Sequence, residues 1–147
     1  MRLFIDTANL SDIEDALSTG AVQGVTTNPS LLSKEPKEHF IKHIQKITTL
    51  CRENGNVPLS VEVFAEETDE MYFQALRIHK ELDYSNVNIK IPVGYEELKV
   101  IRKLSDEGIS INCTCCFTSS QLEMAALAGA KYVSLFYNRL LDCGGDP

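Results

Sequence analysis

The stretch "VNIKIPVG", residues 87–94, sets a lysine in the middle of a β-branched, apolar run. Burying an unpaired ammonium is expensive, so Lys90 is an accident at a sheet edge, half of an ion pair with Glu62 or Asp6, or a nucleophile. The third option has a definite chemistry. In a low-dielectric pocket an amine is pushed toward its neutral form, which frees the lone pair for attack on a carbonyl. The resulting Schiff base is an electron sink, and a neighbouring C–C bond can break to leave an enamine. That reaction needs a carboxylate to take a proton from the hydroxyl beyond the breaking bond. It also needs a second acid/base for carbinolamine dehydration. Asp6 and Glu62 are available for these roles, and Thr114 for positioning a water. Asn28 and Asn112 offer amides for substrate hydroxyls, while Arg139 with Ser134 can grip a phosphate.

Such residues do chemistry only if the chain brings them together. Strand-like segments occur at residues 2–8, 24–28, 59–64, 87–93, 109–115 and 132–136. Amphipathic stretches lie between them. "SDIE" from Ser11 to Glu14 and "TSSQ" from Thr118 to Gln121 have capping-box spacing. A helix starts near Thr68 with acids in its first turn, another closes at Gly108, and a third stops at Gly129. The longest follows Pro36. This repeated β-α order predicts a parallel sheet, either doubly wound or closed as a (β/α) barrel. A dinucleotide-binding reading has no support, because no G-x-G-x-x-G follows the first strand and no P-loop is present.

Residue parity decides between the two. Side chains alternate faces along a strand, so Val87, Ile89, Ile91 and Val93 share one face and Asn88 and Lys90 the other. The same split sets Val61 and Val63 against Ser60 and Glu62, and Ile109 and Ile111 against Ser110, Asn112 and Thr114. In the first strand Leu3 and Ile5 oppose Phe4 and Asp6; Thr26 pairs with Asn28, and Ser134 with Phe136. Polar groups on one face of every strand, concentrated toward its C-terminal end, converge in the interior of a barrel, where barrel enzymes keep their chemistry. A flat sheet buried on both faces offers them no such place.

The formal charge of the 147-residue chain is -7, without a Lys/Arg stripe, which argues against nucleic acid or anionic membrane as a partner. Hydrophobic residues make up 44% and charged residues 24%, the balance of a soluble globular protein. The sequence shows neither a signal peptide nor a membrane-length apolar run. The cysteine count of 5 is odd, which argues for a reducing, cytoplasmic setting over a disulfide framework. Three of them crowd into "CTCC" at 113–116. Cys113, Cys115 and Cys116 are read as small buried residues of a strand, since alternation keeps neighbours from converging on a metal.

"FIDTAN", "GVTTNPSLL", "IKIPV" and "ALAGAKYVSLFYNR", in this order and spacing, closely resemble the transaldolase family, in particular the small-subunit branch that also contains fructose-6-phosphate aldolases. The similarity runs from the first strand to about Gly145. It implies a (β/α)8 TIM-barrel fold and a Schiff base between Lys90 and a ketose phosphate. Asp6 is then the general acid/base for C–C cleavage and formation, and Glu62 and Thr114 work with a catalytic water. The resemblance also implies that Thr26, Asn28, Asn112 and Ser134 line the sugar site and that Arg139 binds the phosphate. No metal or organic cofactor is expected; the partners are sugar phosphates and further copies of the chain in a homo-oligomer. Family aldolases tend to carry glutamine and tyrosine where this chain has Glu62 and Phe136, which makes transaldolase the first expectation and fructose-6-phosphate aldolase the alternative. An eight-stranded barrel needs roughly 200 residues or more. Residues 1–147 are therefore expected to form one barrel domain, incomplete at the C-terminus, with about six of eight β/α units. Fragment of a full enzyme, natural truncation completed by association, and non-catalytic paralogue are the three ways such a chain arises.

Overall fold

The computed structural model describes residues 1–146. Six strands, β1 (Leu3–Asp6), β2 (Val22–Thr26), β3 (Leu59–Glu62), β4 (Val87–Pro92), β5 (Ile111–Cys116) and β6 (Tyr132–Leu135), pair in parallel in sequence order. The helices α1 (Leu10–Ser18), α3 (Phe40–Glu53), α4 (Thr68–Leu82), α5 (Tyr95–Asp106) and α6 (Ser119–Leu127) alternate with them. Two short helices, α2 (Pro29–Leu32) and α7 (Tyr137–Asp142), follow β2 and β6 and have no counterpart in the sequence reading. Consecutive order with a helical crossover between successive strands is the signature of a (β/α)8 barrel rather than of a doubly wound sheet, whose order reverses at a switch point. The sheet curls far enough that the Phe4 ring of β1 reaches the Tyr132 ring of β6, their centroids 5.7 Å apart. Gly24 on β2 makes room for this: a Cβ there would lie 2.7 Å from the Phe4 ring. The architecture is a curled half-barrel.

The apolar parity class faces outward. Val61, Ile89, Ile91, Ile111 and Cys113 are fully buried against Ile44, Ile47, Ala75, Ile78, Ile101 and Leu104 of the covering helices. Each fully buried aliphatic side chain contributes about 1.5–3 kcal/mol. This layer fixes which way the opposite face points, because a one-residue slip would turn Lys90 into the helices and Ile91 inward.

Helix ends follow local chemistry. Thr118 and Gln121 form the complete capping box of α6, and Gly108 takes the left-handed conformation (φ 82°) that closes α5. The start of α1 differs from expectation. Asn9, not Ser11, is its N-cap, accepting from the Asp12 amide at 3.1 Å, and Ser11 lies inside the helix. The helix after Pro36 is also shorter than read, 14 residues against the 15 of α4. No helix among the described residues is long and apolar enough to cross a membrane.

The candidate active site

Strand register sets the floor of the site. Glu62 on β3, Lys90 on β4 and Asn112 on β5 are partners in adjacent ladders and lie in one row across the sheet. Lys90 is 6% exposed. Its Nζ donates to the Thr27 carbonyl at 2.9 Å and lies 3.2 Å from Glu62 Oε2. The buried ammonium is thus paired and hydrogen-bonded, which offsets its desolvation, and the carboxylate stands at proton-transfer distance. The edge-accident reading of Lys90 is overturned, since β4 is a central strand of the sheet.

Around this pair the C-terminal ends of the strands enclose a cavity of about 610 Å3 whose lining includes Asp6, Asn28, Glu62, Lys90, Phe136 and Arg139. Asp6, at the end of β1, is solvent-exposed and held by the Thr26 hydroxyl, which donates to Oδ1 at 2.6 Å. The loop that follows is anchored from behind by His43 of α3, whose Nε2 meets the Ala8 carbonyl at 2.8 Å while Nδ1 meets Glu38 at 2.8 Å. Asn28 caps α2 by accepting from the Leu31 amide at 2.9 Å, which leaves its amide nitrogen for other partners. Arg139 projects from α7 and has no carboxylate partner among the described residues. Phe136 stacks edge-on against Phe117 at 5.7 Å.

Four other expected residues are not part of the cavity lining. Ser134 donates to Asn112 Oδ1 at 2.8 Å, and Asn112 Nδ2 donates to Ser60 Oγ at 3.1 Å, a chain that ties β6, β5 and β3 together beneath the floor. Thr26 acts through Asp6 as described. Thr114 is fully buried and does not line the cavity. Its hydroxyl has no hydrogen-bond partner among the described residues, although it lies near enough to the adjoining Cys115 thiol to lower that thiol's pKa. A buried hydroxyl without a partner costs on the order of 1–3 kcal/mol unless something else satisfies it.

The residue that does line the cavity from β5 is Cys115. It has a left-handed backbone, φ 61°, at a register irregularity between Cys113 and Cys116. This bulge corrects the sequence reading of "CTCC" in two ways. Cys115 faces the site instead of packing as a buried core residue. Cys113 and Cys116 fall on one side, with sulfurs 3.9 Å apart, where strict alternation would have separated them. Burial raises all three thiols above the ordinary cysteine range; for Cys115 the neighbouring Glu62 raises it further, while Thr114 and Lys90 pull it down. Among the described residues no three His, Cys, Asp or Glu side chains converge as a metal centre requires. Pro29, Ser30, Leu135, Tyr137 and Asn138 complete the cavity wall. They come from α2 and α7 and their flanks, which no periodic signal announced.

Fold and site together define a (β/α)-barrel protein with its polar side chains gathered at the C-terminal ends of the strands. Solved structures agree on the fold. A putative phosphonomutase from Burkholderia cenocepacia superposes with a TM-score of 0.66 at 12% identity, covering 98% of this chain and 66% of that one. A thiamine phosphate pyrophosphorylase from Pyrococcus furiosus superposes at 0.59 with 13% identity, covering 91% and 59%. Sequence is more specific. Residues 3–146 match the family described as transaldolase/fructose-6-phosphate aldolase, and the chain belongs to that family. It is 46% identical to a probable transaldolase of Dehalococcoides mccartyi over 99% of its own length and 65% of the relative's. A probable transaldolase of Thermoplasma volcanium is also 46% identical, with 99% and 64% covered. The chain therefore spans about 65% of the length of such relatives.

Proposed function

We propose that the protein acts as a transaldolase, moving a dihydroxyacetone unit from a ketose phosphate, sedoheptulose 7-phosphate or fructose 6-phosphate, to an aldose phosphate through a Schiff base on Lys90. The observation that carries this reading is the buried Lys90–Glu62 pair at 3.2 Å on the floor of a cavity that Asp6 and Arg139 also line. Glu62 takes a proton from Nζ, and the amine adds to the ketose carbonyl; loss of water gives the iminium. Asp6 then removes the proton of the hydroxyl on the carbon at the far end of the bond to be broken, which becomes the aldehyde carbon. That bond's electrons flow into the iminium to give an enamine, and the shortened aldose leaves as an aldehyde. The enamine attacks the acceptor aldehyde, Asp6 returns the proton, and water releases the new ketose. Each step balances without an oxidant or reductant. Arg139 holds the phosphate, and Asn28 the sugar hydroxyls.

Fructose-6-phosphate aldolase uses the same first half of this cycle, after which the enamine takes a proton instead of attacking an acceptor and water releases dihydroxyacetone from the iminium. Incubation with fructose 6-phosphate with and without erythrose 4-phosphate separates the two. The transferase reading expects turnover that depends on erythrose 4-phosphate and yields a seven-carbon product. Free dihydroxyacetone formed at an equal rate without acceptor would replace it with the aldolase reading. A folded protein with neither product would be a non-catalytic member of the family.

A further inference from the structure

Two adjacent strands deliver side chains to the cavity by different means. β4 delivers Lys90 by regular alternation, whereas β5 breaks alternation at Cys115. A left-handed backbone costs a non-glycine residue roughly 1–2 kcal/mol, and a cysteine has no side-chain amide or carboxylate with which to satisfy its own backbone there. Such outliers collect at functional sites, and bulges there re-aim a side chain. Here the re-aimed group is a thiol, close enough to Glu62 and Lys90 to feel both charges. It is half-buried, while Cys51, Cys113 and Cys116 are fully buried.

We infer that Cys115 is a substrate-facing wall residue: its thiol meets the carbon chain of the sugar phosphate beside Lys90 and limits how bulky that chain can be. The inference rests on the functional reading above for the identity of the ligand. The residue type suits the place. A thiol is small and a weak hydrogen-bond partner, so it can contact carbon without competing for the Glu62 carboxylate as a hydroxyl would. Held neutral by burial and by Glu62, it also does not compete with Lys90 for the carbonyl. Enlarging it by substitution would extend the side chain over the floor that Lys90 and Glu62 form.

The test is alkylation by iodoacetamide with mass mapping, in a Cys143→Ser background that removes the one exposed thiol among the described residues. Without sugar, Cys115 should react more slowly than free cysteine at neutral pH. The Glu62→Gln change should speed it, because removing the carboxylate lowers the thiol's pKa. Labelling of Cys115 no faster than that of the fully buried Cys113 and Cys116 would overturn the placement of the thiol in the cavity. With fructose 6-phosphate and borohydride, protein carrying a reduced adduct on Lys90 should lose Cys115 labelling, and Cys115→Leu should trap about tenfold less adduct at matched sugar concentration. An adduct that leaves Cys115 labelling unchanged would overturn the wall role alone. Absence of any adduct would overturn the functional reading and the wall role with it, while the sugar-free arm still decides where the thiol points.

Discussion

β4 and β5 are neighbours of equal length, six residues each, in register from Ile89↔Ile111 to Pro92↔Thr114. Both carry an apolar face into the helices and a polar face into the curl of the sheet. Along β4 alternation holds throughout, so Lys90 emerges where the pattern of Val87, Ile89 and Ile91 puts it. Along β5 it holds through Cys113 and then fails. Cys115 enters the cavity, Thr114 is left buried with an unpartnered hydroxyl, and Cys116 joins Cys113. The difference shows how a parallel sheet can place a side chain either by periodicity, at no local cost, or by a bulge, at the cost of strain.

Substitutions on the two strands can break or sharpen this contrast. The largest effect belongs to Lys90→Met, which should abolish the borohydride-trapped adduct in a protein that still folds. Next is Ile91→Ala on the outer face of β4, fully buried, which should cost about 2–5 kcal/mol in urea unfolding. Glycine then gives different answers on the two strands. Ile91→Gly should lose at least as much as the alanine change, whereas Cys115→Gly should stay within about 1 kcal/mol of the parent, because relief of the left-handed backbone offsets the added chain entropy. Equal losses at both positions would remove the strain from the account of β5. A loss far below that of Ile91→Ala is expected just beyond β5, where Thr118→Ala breaks the capping box of α6 and should cost about 1 kcal/mol. The helix after β4 begins at Gly94 with no side-chain cap to lose.

The same contrast explains what the sequence revealed. Strand order, the outward apolar layer and the inward placement of Lys90, Glu62 and Asn112 follow from β-α order and period-two patterning, and those were readable from residue types alone. So were the capping box at Thr118 and the closing glycine at 108. The bulge at Cys115 was not, because a one-residue register change depends on how β5 fits between β4 and β6 and leaves no mark in the apolar pattern of "INCTCC". The Thr27 carbonyl that receives Lys90 could not be found either, since any residue has a carbonyl. Asn9 was displaced as the cap of α1 in the reading by Ser11, whose spacing to Glu14 imitates a capping box. The cavity walls from α2 and α7 were missed because helices of 4 and 6 residues are too short to show a period.

The central claim is that Lys90, and no other amine of the chain, is the nucleophile. Borohydride reduction in the presence of fructose 6-phosphate, followed by peptide mass mapping, tests it directly. The account predicts a three-carbon adduct on Lys90 that disappears in Lys90→Met. A folded protein with no adduct, or with the adduct on another lysine, would contradict it.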